Sequence, residues 1–124
     1  MRVMVGIMVA GAIGAWLRYV VDGVVSPRTT GLFPWGTFVI NITGSLLLGF
    51  LFTVFTERMV VVPWVRSSIT IGFLGAYTTF STLSLESVQL VEERVYGLAL
   101  INAVGSLAAG MLAVTVGIIV ARAI

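Results

Sequence analysis

The chain has 124 residues, 59% of them hydrophobic and 10% charged, with a mean hydropathy of +1.13. A water-soluble domain of this size could not hide so much apolar surface, so the composition points to an integral membrane protein with a single compact domain. With no cysteine and no histidine it offers no disulfide, no thiolate or imidazole metal site and no Ser-His or Cys-His catalytic pair, and a net charge of +2 on scattered arginines does not suit a nucleic-acid surface.

Four stretches suit a hydrocarbon core of ~30 Å, which takes about 20 helical residues to cross. The first is expected from about residue 3 to 25, with Arg18 and Asp22 towards its end. It is longer than a signal-peptide core and lacks a small-residue cleavage site before the next span, so it is expected to be retained. Ser26-Pro27 and the segment from Gly31 to Pro34 punctuate a turn, and the second span comes next from about 35 to 55, closed by Glu57-Arg58. Pro63 and Trp64 open a third span that continues to about 91, more than a simple crossing needs. Glu92-Glu93-Arg94 then leads into a fourth from about 96 to 120. Trp35, Trp64 and Tyr96 each stand at a span start, where amphipathic rings favour the membrane interface.

All seven basic residues are arginine. With both termini inside, Arg2, Arg58, Arg66 and Arg122 face the cytoplasm against Arg18, Arg28 and Arg94 outside, a near balance that permits insertion in both orientations.

Polar residues recur on helical faces. In the second span Thr37, Asn41 and Ser45 lie four apart beside Gly44 and Gly49, and in the fourth Asn102, Ser106 and Gly110 do the same. Helix packing accounts for the glycines, including the Gly6-Ala10-Gly14 stripe of the first span. An asparagine amide is costlier to leave unpaired in lipid, so Asn41 and Asn102 divide evenly between packing and a polar pathway.

The third span differs in kind. From Gly72 to Glu86 it reads GFLGAYTTFSTLSLE, six hydroxyl side chains and a carboxylate at membrane depth, which mark function unless they pair with one another. Threonines following glycines form helix poorly, and a break is expected between Gly75 and Ser81. Broken backbone frees carbonyl oxygens, hard ligands suited to an alkali cation. Beyond the break Thr79, Thr82 and Glu86 share one face, and Phe80, Ser84 and Ser87 another. On composition alone, packing explains Phe80, and an exposed carboxylate near a span end explains Glu86 as well as a pathway role does.

The stretch Gly14-Ala15-Trp16-Leu17-Arg18-Tyr19, the pattern Gly36-Thr37-x-x-x-Asn41-x-x-Gly44 and above all Gly72-Phe73-Leu74-Gly75-x-x-Thr78-Thr79-Phe80-Ser81-Thr82 resemble the fluoride channels of the Fluc (CrcB-type) family, over nearly the whole chain. The resemblance implies an all-α membrane protein of four transmembrane helices with the third broken, assembling as an antiparallel, dual-topology homodimer in the inner (plasma) membrane. It implies passive export of cytoplasmic fluoride, hence fluoride resistance, with no enzymatic step. It also implies a structural sodium ion at the dimer centre, for which Gly75 and Thr78 would supply backbone carbonyls. By motif position Asn41 resembles the family's pore asparagine, Phe80 its first pore phenylalanine and Arg18 its vestibule arginine, while Ser81, Thr82, Asn102 and Ser106 fall on or near the polar track. Where family members commonly carry a second phenylalanine, this chain has Leu83.

The residues agree with such a pathway. A small, strongly hydrated anion needs donors in place of water, and amides and hydroxyls supply them without a fixed charge to trap it. The positive ring edge of Phe80 adds weak attraction, and Arg18 near a span end would concentrate anions. Two other classes fit the same size. A small multidrug-type dual-topology proton/cation antiporter would need an embedded carboxylate, for which Glu86 is the candidate. A non-transporting membrane assembly subunit would explain the small-residue stripes but not the cluster from Thr78 to Thr82.

Overall fold

A computed structural model describes all residues from Met1 to Ile124, and every regular element in it is helical. In hydrocarbon no water is present to satisfy backbone N–H and C=O groups, so apolar stretches without internal charge close their hydrogen bonds within the segment. Helix α1 is Arg2–Val25 and ends in a single tight turn at Ser26–Arg28, where Pro27 removes a backbone donor. Helix α2 is Trp35–Arg58, with its last turn, Val54–Arg58, widened so that hydrogen bonds reach one residue further back than in an α-helix. The third crossing is in two pieces. Helix α3 covers residues 63–77, begins with Pro63 in the first turn, where a missing N–H is harmless, and is widened over Ser68–Leu74. Helix α4 is Phe80–Glu92. Helix α5 is Tyr96–Ala123, widened over Ile101–Gly105.

Helices therefore cover the four expected stretches, with α2 and α5 each running three residues further than the sequence suggested. Helices α1, α2 and α5 are long and apolar enough to cross a membrane. Neither half of the third is, because the break falls at Thr78 and Thr79, inside the segment where it was expected. Gly75 itself is helical (φ −65°, ψ −34°), so the chain leaves the helix at the threonines and not at the glycine.

Between α4 and α5 the turn is tight. The Val95 N–H donates to the Leu90 carbonyl and the Arg94 N–H to that of Val91, the paired closure of a helix C-terminus, and Arg94 takes the positive φ of 60° that this closure requires.

Two pairings hold the bundle, α2 against α5 and α1 against α3, and both run through glycine. A Cβ on Gly49 would collide with the Val114 carbonyl oxygen, and one on Gly117 with the Leu46 carbonyl oxygen and, at 2.8 Å, the Phe50 nitrogen. On the other pair, Gly14 lies against the Phe73 carbonyl and Gly72 against Ile7. The small-residue stripes thus serve close backbone approach, which in lipid replaces the hydrophobic drive available in water. Arg122 and Glu57 form an ion pair at 2.6 Å, and Arg58 donates to the Arg122 carbonyl, tying the ends of α2 and α5 at the surface. The core is small, with Ile40, Leu74, Tyr77 and Leu90 its bulky members, while Met4, Met8, Trp16, Leu107, Leu112 and Ile119 face outward as a lipid-compatible coat.

Gly117→Val is expected to lower stability by about 1–3 kcal/mol through overpacking. Gly97→Ala, where an added Cβ meets nothing within 4 Å, should lose none. Detergent-resistance or thermal unfolding curves of the two variants check this, and equal stability would place the α2–α5 contact elsewhere.

Candidate functional site

At the break Thr78 and Thr79 are extended (φ −79°, ψ 157° and φ −147°, ψ 115°); the Thr78 N–H still donates to the Leu74 carbonyl at 3.0 Å, and it is the Thr79 N–H and C=O that leave the helical ladder. Asn41 on α2 takes them up. Its Oδ1 accepts from the Thr79 N–H at 2.8 Å and its Nδ2 donates to the Thr79 carbonyl at 3.1 Å, so that one amide closes both backbone groups of one residue. The Thr79 hydroxyl does the next job. It accepts from the Thr82 N–H at 3.2 Å as the N-cap of α4 and donates to the Thr82 hydroxyl at 2.9 Å, with Ser81 Oγ 3.4 Å away.

These substitutions have a consequence for two carbonyls. In an unbroken helix the Thr79 N–H would bond to the Gly75 carbonyl, and the Thr82 N–H to that of Thr78. Here the first goes to Asn41 and the second to the Thr79 hydroxyl. Gly75 and Thr78, the pair implied as cation ligands, are thus among the residues whose carbonyl oxygens lose their helical donors, together with Ala76 and Tyr77, since the extended threonines also carry the Phe80 and Ser81 N–H groups out of helical register. Neutral hard oxygens of this kind fit an alkali cation.

Beside the break lies an open cleft of about 370 Å³ on the α2/α5 face, its polar wall made by Asn41, Ser45, Thr78, Thr79 and Ser106. Phe80 and Leu83 of α4 form the opposite rim. Phe80 is 81% exposed in the single chain, next to a capping threonine that is buried. Ser106 donates towards Asn102 Oδ1 at 3.5 Å, the limit of a hydrogen bond.

Of the residues singled out from the sequence, Asn41, Phe80 and Ser106 line this cleft together. Ser81 and Thr82 stand in the first turn of α4, tied into the Thr79 hydroxyl, and do not line it. Asn102 is fully buried and donates to the Ser87 hydroxyl at 3.0 Å, joining α5 to α4 behind the cleft. Arg18 is half-buried on α1, away from the cleft wall.

One polar pair was not anticipated. The Thr37 hydroxyl donates to Glu86 Oε1 at 2.6 Å, and Glu86 Oε2 is buried without a protein partner. The sequence signal was present in two halves, the Thr37-Asn41-Ser45 face of α2 and the Thr79-Thr82-Glu86 face of α4. Bringing the two faces together puts Thr37 opposite Glu86 just as it puts Asn41 opposite Thr79. A second tie, between the Thr43 and Tyr77 hydroxyls at 2.9 Å, fixes α2 to the last turn of α3. The site therefore offers an amide, several hydroxyls and an aromatic edge beside unwound backbone, with a carboxylate a turn and a half further along. What it can do is replace the hydration shell of a small ion.

The family described as CrcB-like protein, Camphor Resistance (CrcB), matches residues 5–118. Among similar proteins, the fluoride-specific ion channel FluC 2 of Geobacillus kaustophilus is 47% identical over 105 residues, 85% of this chain and 81% of its own. The fluoride-specific ion channel FluC of Magnetococcus marinus is 41% identical over 118 residues, 95% and 96% of the two chains. That of Citrifermentans bemidjiense is 37% identical over 124 residues, the whole of both.

Replacing Asn41 by alanine should orphan both backbone groups of Thr79, at about 1–3 kcal/mol for each. Asn41→Ala should then unfold well below the wild type in a thermal ramp, and an unchanged midpoint would show that the break is closed by other groups.

Proposed function

This chain belongs to the CrcB-like family, and on that premise we propose that it is a passive, fluoride-selective ion channel through which fluoride leaves the cytoplasm. It catalyses no reaction. The observation that carries the reading is the setting of Asn41. In a chain whose relatives are named fluoride-specific channels, the one amide that closes the broken helix also faces a cleft shared with Ser45, Ser106 and the Phe80 ring. Fluoride's shell of water is exchanged there for the second Asn41 N–H, the hydroxyls and the positive ring edge of Phe80. No arginine lies in that wall, which suits an ion that must also leave. A membrane potential negative inside drives each fluoride outward with about 2.3 kcal/mol per 100 mV, so no coupling ion is needed. The relatives favour neither a proton/cation antiporter nor a non-transporting assembly subunit.

The cleft is open on one side, and Phe80 stands at its rim with the apolar Leu107 and Met111. A second copy of the chain is the natural cover. The near-equal arginine counts at the two ends support an antiparallel, dual-topology homodimer in the inner membrane, closing one half of each pathway with the partner's face. The carbonyls of Gly75 and Thr78 would hold a structural sodium ion at the centre of that dimer. The bound ion supplies a fixed positive charge that braces the unwound turns. Arg18 serves the aqueous vestibule. Ser81, Thr82 and Asn102 act through their neighbours, by capping α4 and by docking α4 on α5.

Expression of the chain should restore growth in fluoride to cells stripped of their own fluoride export, and the absence of rescue by a membrane-inserted protein would contradict the reading. In the same cells Asn41→Asp should fail to rescue, because a donor is exchanged for a negative charge in the wall. Phe80→Ile should rescue weakly with the dimer intact on size-exclusion chromatography. If Phe80→Ile loses the dimer instead, the ring is a packing element and not part of the pathway.

A further inference from the structure

We infer that Arg66 captures small hard anions at the α2/α3/α5 end of the same face and feeds them to the Asn41 cleft, a role that rests on the channel reading. A second cleft, of about 590 Å³, opens there between Phe52 of α2, Arg66, Ser67 and Thr70 of α3, and Val114 and Ile118 of α5. Val114 also lines the Asn41 cleft, so the two are neighbours along one trough. On α2 the same stripe runs from Asn41 and Ser45 through Leu48 and Gly49 to Phe52, about 16 Å at 1.5 Å per residue.

The charge in this second cleft is uncompensated. Arg122 is neutralised by Glu57 and Arg58 is held on the Arg122 carbonyl, whereas the Arg66 guanidinium has no carboxylate within salt-bridge range and makes no hydrogen bond in the chain. It is positioned instead by the Phe52 ring, 4.7 Å from its carbon to the ring centroid. A cation held by an aromatic face keeps its net charge and its N–H donors, while one held by a carboxylate loses both to its partner. Half-buried among Phe52, Ile71 and Ile118, the charge sits against low-dielectric walls that focus its field into the trough. The half-buried Ser67 hydroxyl stands beside it as a neutral donor, and Thr70 is turned to the Arg66 carbonyl at 2.9 Å, stiffening that turn. The ligand class is a monovalent anion small enough to be carried on by hydroxyls and an amide. An anionic lipid phosphate shares the charge and is separated by the test.

The test is fluoride efflux from liposomes holding wild type, Arg66→Gln or Arg66→Lys, at ~10 mM and ~1 M background salt, where the screening length falls from about 30 to about 3 Å. Electrostatic capture predicts that Arg66→Gln conducts about tenfold more slowly than wild type in low salt, that the gap closes in high salt, and that Arg66→Lys keeps most of the flux. Wild-type flux from a correctly assembled Arg66→Gln in low salt overturns the role. So does a salt-independent loss that lysine does not rescue, which would make Arg66 a packing partner of Phe52. Running the set in purely zwitterionic and in phosphatidylglycerol-containing liposomes completes it: a defect confined to the anionic lipid overturns capture of the free ion and assigns the cleft to a headgroup. If wild type itself fails to pass fluoride, the channel reading falls first and the inference with it.

Discussion

Backbone that leaves a helix inside a membrane must find partners from the protein, since hydrocarbon supplies none. In this chain a single side chain meets that demand for Thr79. The Asn41 amide presents one acceptor and one donor at the spacing of a peptide group and closes both polar groups of Thr79 at once. Much depends on that pairing. It releases the Gly75 carbonyl, leaves the Thr79 hydroxyl to cap α4 and through that cap releases Thr78, and sets the direction in which α4 departs and hence where Phe80 stands. Hydroxyls and an amide would be a liability if scattered through lipid-facing helices; gathered around one break they satisfy one another on one side and leave donors facing a cleft on the other.

The rest of the bundle serves to hold α2 still against its neighbours. Gly49 and Gly117 let α2 and α5 touch backbone to backbone, and Gly14 and Gly72 do the same for α1 and α3. Along the seam between α2 and the broken helix a graded set of ties, Thr43 to Tyr77 of α3, Asn41 to Thr79 in the break and Thr37 to Glu86 of α4, registers the unwound segment against a continuous helix. The ties change in character along the seam, from neutral hydroxyls through an amide to a carboxylate near the end of the span.

Much of this was readable in the residues. Hydropathy located the spans because a bilayer demands about 20 apolar residues whatever the packing, and threonines after glycine located the break because they form helix poorly. The polar stripe of α2 was found by simple periodicity. Asn102 shows where periodicity stops. At intervals of four it belongs with Ser106 and Gly110, yet it lies in a widened turn, Ile101–Gly105, and one extra residue in a turn rotates the helix before it by about 100° relative to the helix after it. Asn102 reaches Ser87 of α4 with its amide nitrogen while its oxygen stays 3.5 Å from Ser106, and Gly110 lies beside Ser45 of α2. The other widened turns, Val54–Arg58 and Ser68–Leu74, were equally unreadable, because such turns come from tertiary packing and have no composition of their own. The pairing of Thr37 with Glu86 was missed for a related reason: each face was visible alone, but which two faces meet is decided by the chain's path through the break. Leu83 lines the cleft beside Phe80, so the rim carries one ring and one aliphatic side chain.

The central claim is that a folded assembly of this chain passes fluoride and not chloride through the face around Asn41. Its most direct test is ion-selective-electrode recording of efflux from liposomes containing the purified wild-type protein, loaded with fluoride or with chloride and given a potassium ionophore to balance charge. Rapid loss of fluoride with chloride retained is the expected result. Fluoride retained by liposomes whose protein is folded, or chloride lost as quickly as fluoride, would contradict it.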